Sequence, residues 1–128
     1  MSLDWKCGEL AEGLRCYCNQ EFFLAHEHWE TVWLTLNEPE KSFLQALIQT
    51  TAAFHHLKAG NPIGATSLLR RALGRIEIYS AGFGGIDVVR LRQEIRQGLH
   101  ELEKNSAISL DYARICPIDV SEAPLKQK

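Results

Sequence analysis

The chain has 128 residues, with 14 Lys and Arg against 16 Asp and Glu, a formal net charge of −2. Apolar residues make up 45% and charged residues 23%, which suits one folded domain with its own core and excludes a disordered chain. The balanced charge argues against a nucleic-acid partner, and no apolar run approaches the ~18 residues that a membrane span needs.

The first residues, Met1-Ser2-Leu3-Asp4-Trp5, are neither basic nor followed by an apolar stretch, so they read as no secretory signal. The expected compartment is cytoplasmic, and the four cysteines (Cys7, Cys16, Cys18 and Cys116) are expected as free thiols. Cys16 and Cys18 lie two apart, on opposite sides of a helix, and so cannot close on one metal ion.

Apolar residues recur at helical spacing along the chain. Leu10, Leu14 and Tyr17 predict a first helix over about residues 8–18. Phe22, Ala25, Trp29, Val32, Trp33 and Leu36 predict a second over about 20–36, stopped by Asn37-Glu38-Pro39. A third begins at Pro39, with Phe43, Leu47, Thr50, Phe54 and Leu57 as its main stripe. Leu44, Ile48, Ala52 and Ala59 spread apolarity around it, the mark of a buried central helix. Its polar positions Gln45, Gln49 and His56 cluster on one side. Trp33 and Phe54, centred on the stripes of the second and third helices, are expected to be buried and close together.

Gly60-Asn61-Pro62 ends the third helix and starts a fourth, with Asn61 as N-cap and Pro62 in the first turn. Ala65, Leu68, Leu69, Ala72, Ile76 and Tyr79 form its stripe, and Gly64 reads as a close approach of two helix backbones. Ser80 to Gly85 reads as a flexible glycine loop, without the G-x-x-x-x-G-K of a phosphate loop. Asp87 caps a fifth helix that runs to about Lys104 through Val88, Leu91, Ile95, Leu99 and Leu102. Ile108, Leu110, Tyr112, Ile115 and Ile118 are expected to dock the following segment on the bundle. The reading is an all-α, single-domain bundle of about five helices over residues 1–120, with a loose tail over 121–128.

Residues 21–33, Glu-Phe-Phe-Leu-Ala-His-Glu-His-Trp-Glu-Thr-Val-Trp, resemble the F-x-A-H-E-x-x-E-x-x-W signature of the family called domain of unknown function 309. Leu47-Ile48-Gln49, His56 and Gly60-Asn61-Pro62-Ile63-Gly64-Ala65 are similar to its L-I-Q…H…G-N-x-x-G-A segment, and Gly85-Ile86-Asp87 to its later G-I-D. The resemblance spans about residues 8–103. It implies a small all-helical bundle and positions to examine, but no reaction. The hairpin from Ala52 to Leu73 is similar in kind to a tetratricopeptide repeat, as a single unit and not an array.

His26-Glu27-x-x-Glu30 places His26 and Glu30 on one helix face, a spacing that suits two ligands to one metal. The zinc-protease helix has H-E-x-x-H, and here Glu30 stands in place of the second histidine. A metal site on His26 and Glu30 then needs His55 or His56 as a third ligand. The structural alternative makes His26 a core histidine bonded to Glu30. Gln49 and His56, two turns apart, read either as the polar wall of a cleft facing Glu27 and Glu30 or as a network that fixes helix register. In both cases direct or water-bridged hydrogen bonds are expected among Glu27, Glu30, Gln49 and His56.

Arg70, Arg71, Arg75, Arg90, Arg92 and Arg96 read as a solvated face more than as an anion patch. Charge is uneven along the chain: residues 1–40 hold eight acids and two bases, residues 41–104 five acids and nine bases. The candidate polar site is His26, Glu27, Glu30, Gln49 and His56, with no cofactor expected. The favoured function is a non-catalytic ligand-binding or protein-interaction module, with a groove between the second and third helices and a protein or small-molecule partner; self-association stays open. The alternative is a small metal-dependent or acid–base hydrolase using Glu27, Glu30 and His56.

Overall fold

The computed structural model describes residues 3–104 and 112–118. Its helices are α1 (Gly8–Cys18), α2 (Phe22–Trp33), α3 (Glu40–Lys58), α4 (Pro62–Ile76) and α5 (Val88–Glu103). Among the described residues there is no strand, only an isolated antiparallel bridge between Ile86 and Pro117. The all-α bundle read from periodicity is thus the observed architecture. Ile108, Leu110 and the tail over 121–128 lie outside the described residues.

α3 is central because its apolar residues face nearly all round. Phe43, Leu44, Ala46, Leu47, Ile48, Ala53 and Phe54 are buried, and α3 packs against both α2 and α4. Two polar residues share that interior. Thr50 and Thr51 donate their hydroxyls to the Ala46 and Leu47 carbonyls of the same helix, each at 2.8 Å, so neither leaves an unpaired donor. α1 lies on α2, and α5 lies on α4.

Trp33 and Phe54 are not neighbours. α2 and α3 run antiparallel, so the start of α2 meets the end of α3: Phe22 and Phe54 have ring centroids 6.0 Å apart. Trp33 sits eleven positions beyond Phe22, roughly 16 Å along the helix, opposite the start of α3. There Lys41 Nζ lies 4.0 Å above its ring, and Trp33 is only partly buried. The fully buried tryptophan is Trp29. Its Nε1 donates to the Leu10 carbonyl at 3.1 Å, and a Cβ at Gly13 would fall 2.2 Å from that nitrogen. Gly13 is therefore what lets α1 close on α2.

Gly64 has a different reason from the one expected. A Cβ there would meet the Asn61 side chain at 2.5 Å, so the glycine makes room for the cap of α4 and not for a second helix. Asn61 Oδ1 accepts from Gly64 N–H at 3.0 Å, and Asp87 Oδ1 accepts from Arg90 N–H at 3.1 Å, as the capping signals predicted. α2 stops at Trp33 and α4 at Ile76, each three residues before the last stripe residue. Tyr79 then packs on Phe43 and Phe83 in the following turn.

The glycine loop is held by packing. Gly84 has φ +64°, a Cβ on it would come 2.8 Å from the Phe43 ring, and its carbonyl accepts from Trp5 Nε1 at 2.7 Å. The segment 112–118 docks with Ile115 buried, whereas Ile118, expected to dock too, is 41% exposed. Tyr17 Oη donates to the Ala113 carbonyl at 2.5 Å, Asp87 N–H to Cys116 O at 2.8 Å, and Ile118 N–H to Gly85 O at 2.7 Å. All four cysteines are free, with Cys16 buried and Cys18 exposed. No described helix is long and apolar enough to cross a membrane.

Candidate functional site

The antiparallel pairing of α2 and α3 leaves a cleft where the first turns of α2 face the last turns of α3. Phe22 points inward onto Phe54 and forms the floor with Ala52, whose single methyl leaves the space open. Phe23, one position off the buried stripe, is 57% exposed and packs at 5.9 Å against the His55 ring. A cleft of about 220 Å³ is lined by Phe22, Phe23, His26, Ala52, His55 and His56. A second depression of about 290 Å³ adjoins it past Phe22, Phe23 and His55 and reaches Leu24 and Lys58.

The chemistry of His56 follows from the neighbouring cap. Asn61 Oδ1 accepts from Gly64 N–H, which fixes the amide, so its Nδ2 is the atom 3.2 Å from His56 Nδ1. An amide nitrogen only donates, so His56 Nδ1 accepts and the ring proton resides on Nε2. The ring is thus committed to a hydrogen-bond donor on the nitrogen not used by the cap.

At the rim of the cleft, His26, Glu27 and Glu30 bring one ligand atom each to within 4.8 Å of one another. His26 is half-buried and both glutamates are exposed. The i, i+4 relation of His26 and Glu30 was legible in the sequence; Glu27 joins them by side-chain direction. His26 is not hydrogen-bonded to Glu30, so it is a wall of the cleft and not a bonded core histidine. The other histidine of α2, His28, is tied to Glu9 at 2.5 Å.

The five predicted site residues divide. His26 and His56 share the cleft, and Glu27 and Glu30 share the cluster with His26. Gln49 does not line the cleft, and its Oε1 is buried without a hydrogen-bond partner. No direct hydrogen bond joins Glu27, Glu30, Gln49 and His56: the two glutamates are exposed, whereas Gln49 Oε1 is buried. Sequence reasoning missed Phe23 as a wall. Its signal was an apolar residue displaced from the core stripe in the first turn of α2.

Three of the four thiols are poorly prepared as nucleophiles. Burial pushes the Cys16 and Cys18 thiols up, and a hydrogen bond to Asp4 does the same for Cys7, so the thiolates are disfavoured. The arginines expected on a solvated face are largely paired: Arg70 with Glu103 and Arg90 with Glu94, each at 2.9 Å, and Arg96 with Glu77.

Fold and site together define a small helical bundle with a histidine-lined cleft between two antiparallel helices. The model of the family described as Domain of unknown function (DUF309) matches residues 10–68 of the chain. That stretch holds most of α1, all of α2 and α3 and the start of α4, and so both walls of the cleft; Gly85-Ile86-Asp87 falls outside it. The chain is also similar to an uncharacterized protein of Aquifex aeolicus, 30% identical over 104 residues. The similarity covers 80% of this chain but 31% of that protein, so this chain spans less than a third of the relative's length.

Proposed function

We propose that the protein is a non-catalytic ligand-binding module whose site is the α2–α3 cleft. The observation that carries this reading is the lining itself: an apolar floor and an exposed aromatic wall beside three imidazoles, one of which has its proton assigned to Nε2. Such a surface suits a small ligand with a flat apolar part and a hydrogen-bond acceptor. The extra length of the Aquifex aeolicus relative supports a module that also serves inside longer chains. The hydrolase reading finds less support, because His56 Nδ1 is engaged by Asn61 and is bonded to neither Glu27 nor Glu30.

Benzoate, a ring with one acceptor group, is a suitable probe. Titrated into the ¹⁵N-labelled protein, it is expected to shift the resonances of Phe23, His55 and His56 while leaving α5 unmoved. Phe23→Ala should abolish those shifts. Shifts scattered over the surface, or none at millimolar benzoate, would remove the cleft from consideration.

A further inference from the structure

We propose that the open groove between α4 and α5 is a docking surface for an acidic amphipathic helix of a partner protein. The groove encloses about 610 Å³, and its lining includes Ile63, Ser67, Arg70 and Arg71 of α4 and Leu102 and Glu103 of α5. Leu102 is buried and forms an apolar floor, while the other five are exposed. Ile63, at 83%, is the most exposed large apolar side chain among the described residues. Ile63, Ser67 and Arg71 follow one another at four-residue steps, a single row about 12 Å long on the helix surface.

Charge selects the partner. α4 carries three arginines and no acidic residue. Glu103 is the one acid among the described residues that line the groove, and Arg70 neutralises it at 2.9 Å. Arg71 has no hydrogen bond or ion pair among the described residues. Its guanidinium therefore presents an uncompensated positive charge, and the planar fork matches a carboxylate. Ser67, halfway along the row, is small enough to let a second helix approach.

Other occupants fit less well. Pockets for small ligands bury roughly 70–90% of them, and a groove lined mostly by exposed residues is too shallow for that. Nucleic-acid bases stack on aromatic rings, and no aromatic residue among the described ones lines the groove. A helix laid along the row meets both of its ends at once, with an apolar side chain beside Ile63 and an Asp or Glu two turns further on at Arg71. The partner's signature is thus an apolar residue and a carboxylate about eight positions apart. The inference goes beyond the binding module proposed above and shares no residue with the α2–α3 cleft.

The test uses the full chain and a synthetic, alanine-rich helical peptide of about 18 residues that carries a leucine and, about eight positions on, a glutamate. Fluorescence anisotropy is expected to show saturable binding, with the amide resonances of Ile63, Ser67 and Arg71 shifting and those of Phe23 and His55 unmoved. Arg71→Glu should weaken binding roughly tenfold by setting like charges together, and a peptide with lysine in place of the glutamate should then prefer that variant to the parent. Ile63→Ser should weaken it about fivefold. Both positions are exposed, so thermal unfolding of each variant should match the parent, and Arg71→Gln serves as a second variant that adds no charge. Equal affinity for peptides with glutamate and with glutamine, no exchange of preference in Arg71→Glu, or shifts confined to the α2–α3 cleft would overturn the proposal. So would self-association in sedimentation that Arg71→Glu abolishes, which gives the groove to a second copy, or displacement of the peptide by millimolar phosphate, which leaves an anion site alone.

Discussion

The two halves of the bundle use charge differently. In the α4–α5 half, arginines and glutamates reach across or along helices and neutralise one another: Arg70–Glu103, Arg90–Glu94, and Arg96 and Arg92 on Glu77. In the α1–α3 half, Glu27 and Glu30 stand unpaired among the described residues, beside a cleft with three imidazoles. The first half devotes most of its charged side chains to the fold, Arg71 excepted. The second pairs Glu9 with His28 and Glu12 with Arg15 but gives Glu27 and Glu30 no such partner among the described residues. The interiors differ too. The α1–α2 crossing is packed with aromatic rings: Trp29 meets Tyr17 at 5.9 Å and Trp5 at 5.8 Å, and Tyr17 meets Phe22 at 5.3 Å. The buried residues of α4 and α5 are mainly aliphatic, among them Leu69, Ile76, Leu91 and Ile95. Beside the cleft, stability is therefore concentrated in a few large side chains.

That contrast predicts its largest effect at Trp29. Trp29→Ala should cost about 3–5 kcal/mol in chemical denaturation, since it empties a full ring site and removes a buried donor from the Leu10 carbonyl. Gly13→Ala should cost about 1–3 kcal/mol, because the added methyl collides with a ring that has no free side to move into. Trp33→Ala, at a partly buried site, should fall well short of Trp29→Ala. Equal losses for the two tryptophans would mean that the aromatic packing is not concentrated at the α1–α2 crossing.

A smaller effect sharpens the comparison through pH. Tyr17 is fully buried, and burial pushes its hydroxyl well above the ordinary phenol range. The unfolded chain loses this proton near pH 10 while the folded one keeps it, so the folded state binds more protons above that pH. The contribution is complete below pH 10 and is lost as pH rises beyond it. Tyr17→Phe should cost about 1–3 kcal/mol at neutral pH by leaving the Ala113 carbonyl unpaired, and it should flatten the alkaline decline. An unchanged slope between pH 10 and 11 in the variant would remove Tyr17 as its source.

The smallest effect belongs to the other half. Arg96 and Glu77 are 52% and 39% exposed in their side chains, so their pair is screened by water. Arg96→Ala should change stability by about 0.5 kcal/mol or less, and added salt should erase the difference. A loss of several kcal/mol would show that the paired half stores its stability in charge after all.

Helix spacing, caps and breakers are local properties, and so they were legible. The stripes placed five helices, Asn61 and Asp87 announced two caps, and Gly60-Asn61-Pro62 announced the α3–α4 junction. His26 and Glu30 were legible for the same reason, because two residues four apart on a helix share a face wherever that helix packs. Gln49, His56 and the two glutamates were placed on neighbouring helices correctly, but not relative to one another.

What the sequence by itself determined is therefore the set of helices, their buried sides and the candidate polar residues, since each depends on intervals of a few residues. Only the tertiary structure decided which residues meet. The antiparallel offset of α2 and α3 set Phe22 on Phe54 and left Trp33 to Lys41. Contact between helices decided that Gly13, and not Gly64, is the glycine of close approach, and that Phe23 is a wall of the cleft. The physical reason is one of range: periodicity fixes the direction in which a side chain leaves its own helix, whereas the axial shift between two helices depends on how all their side chains interlock at once.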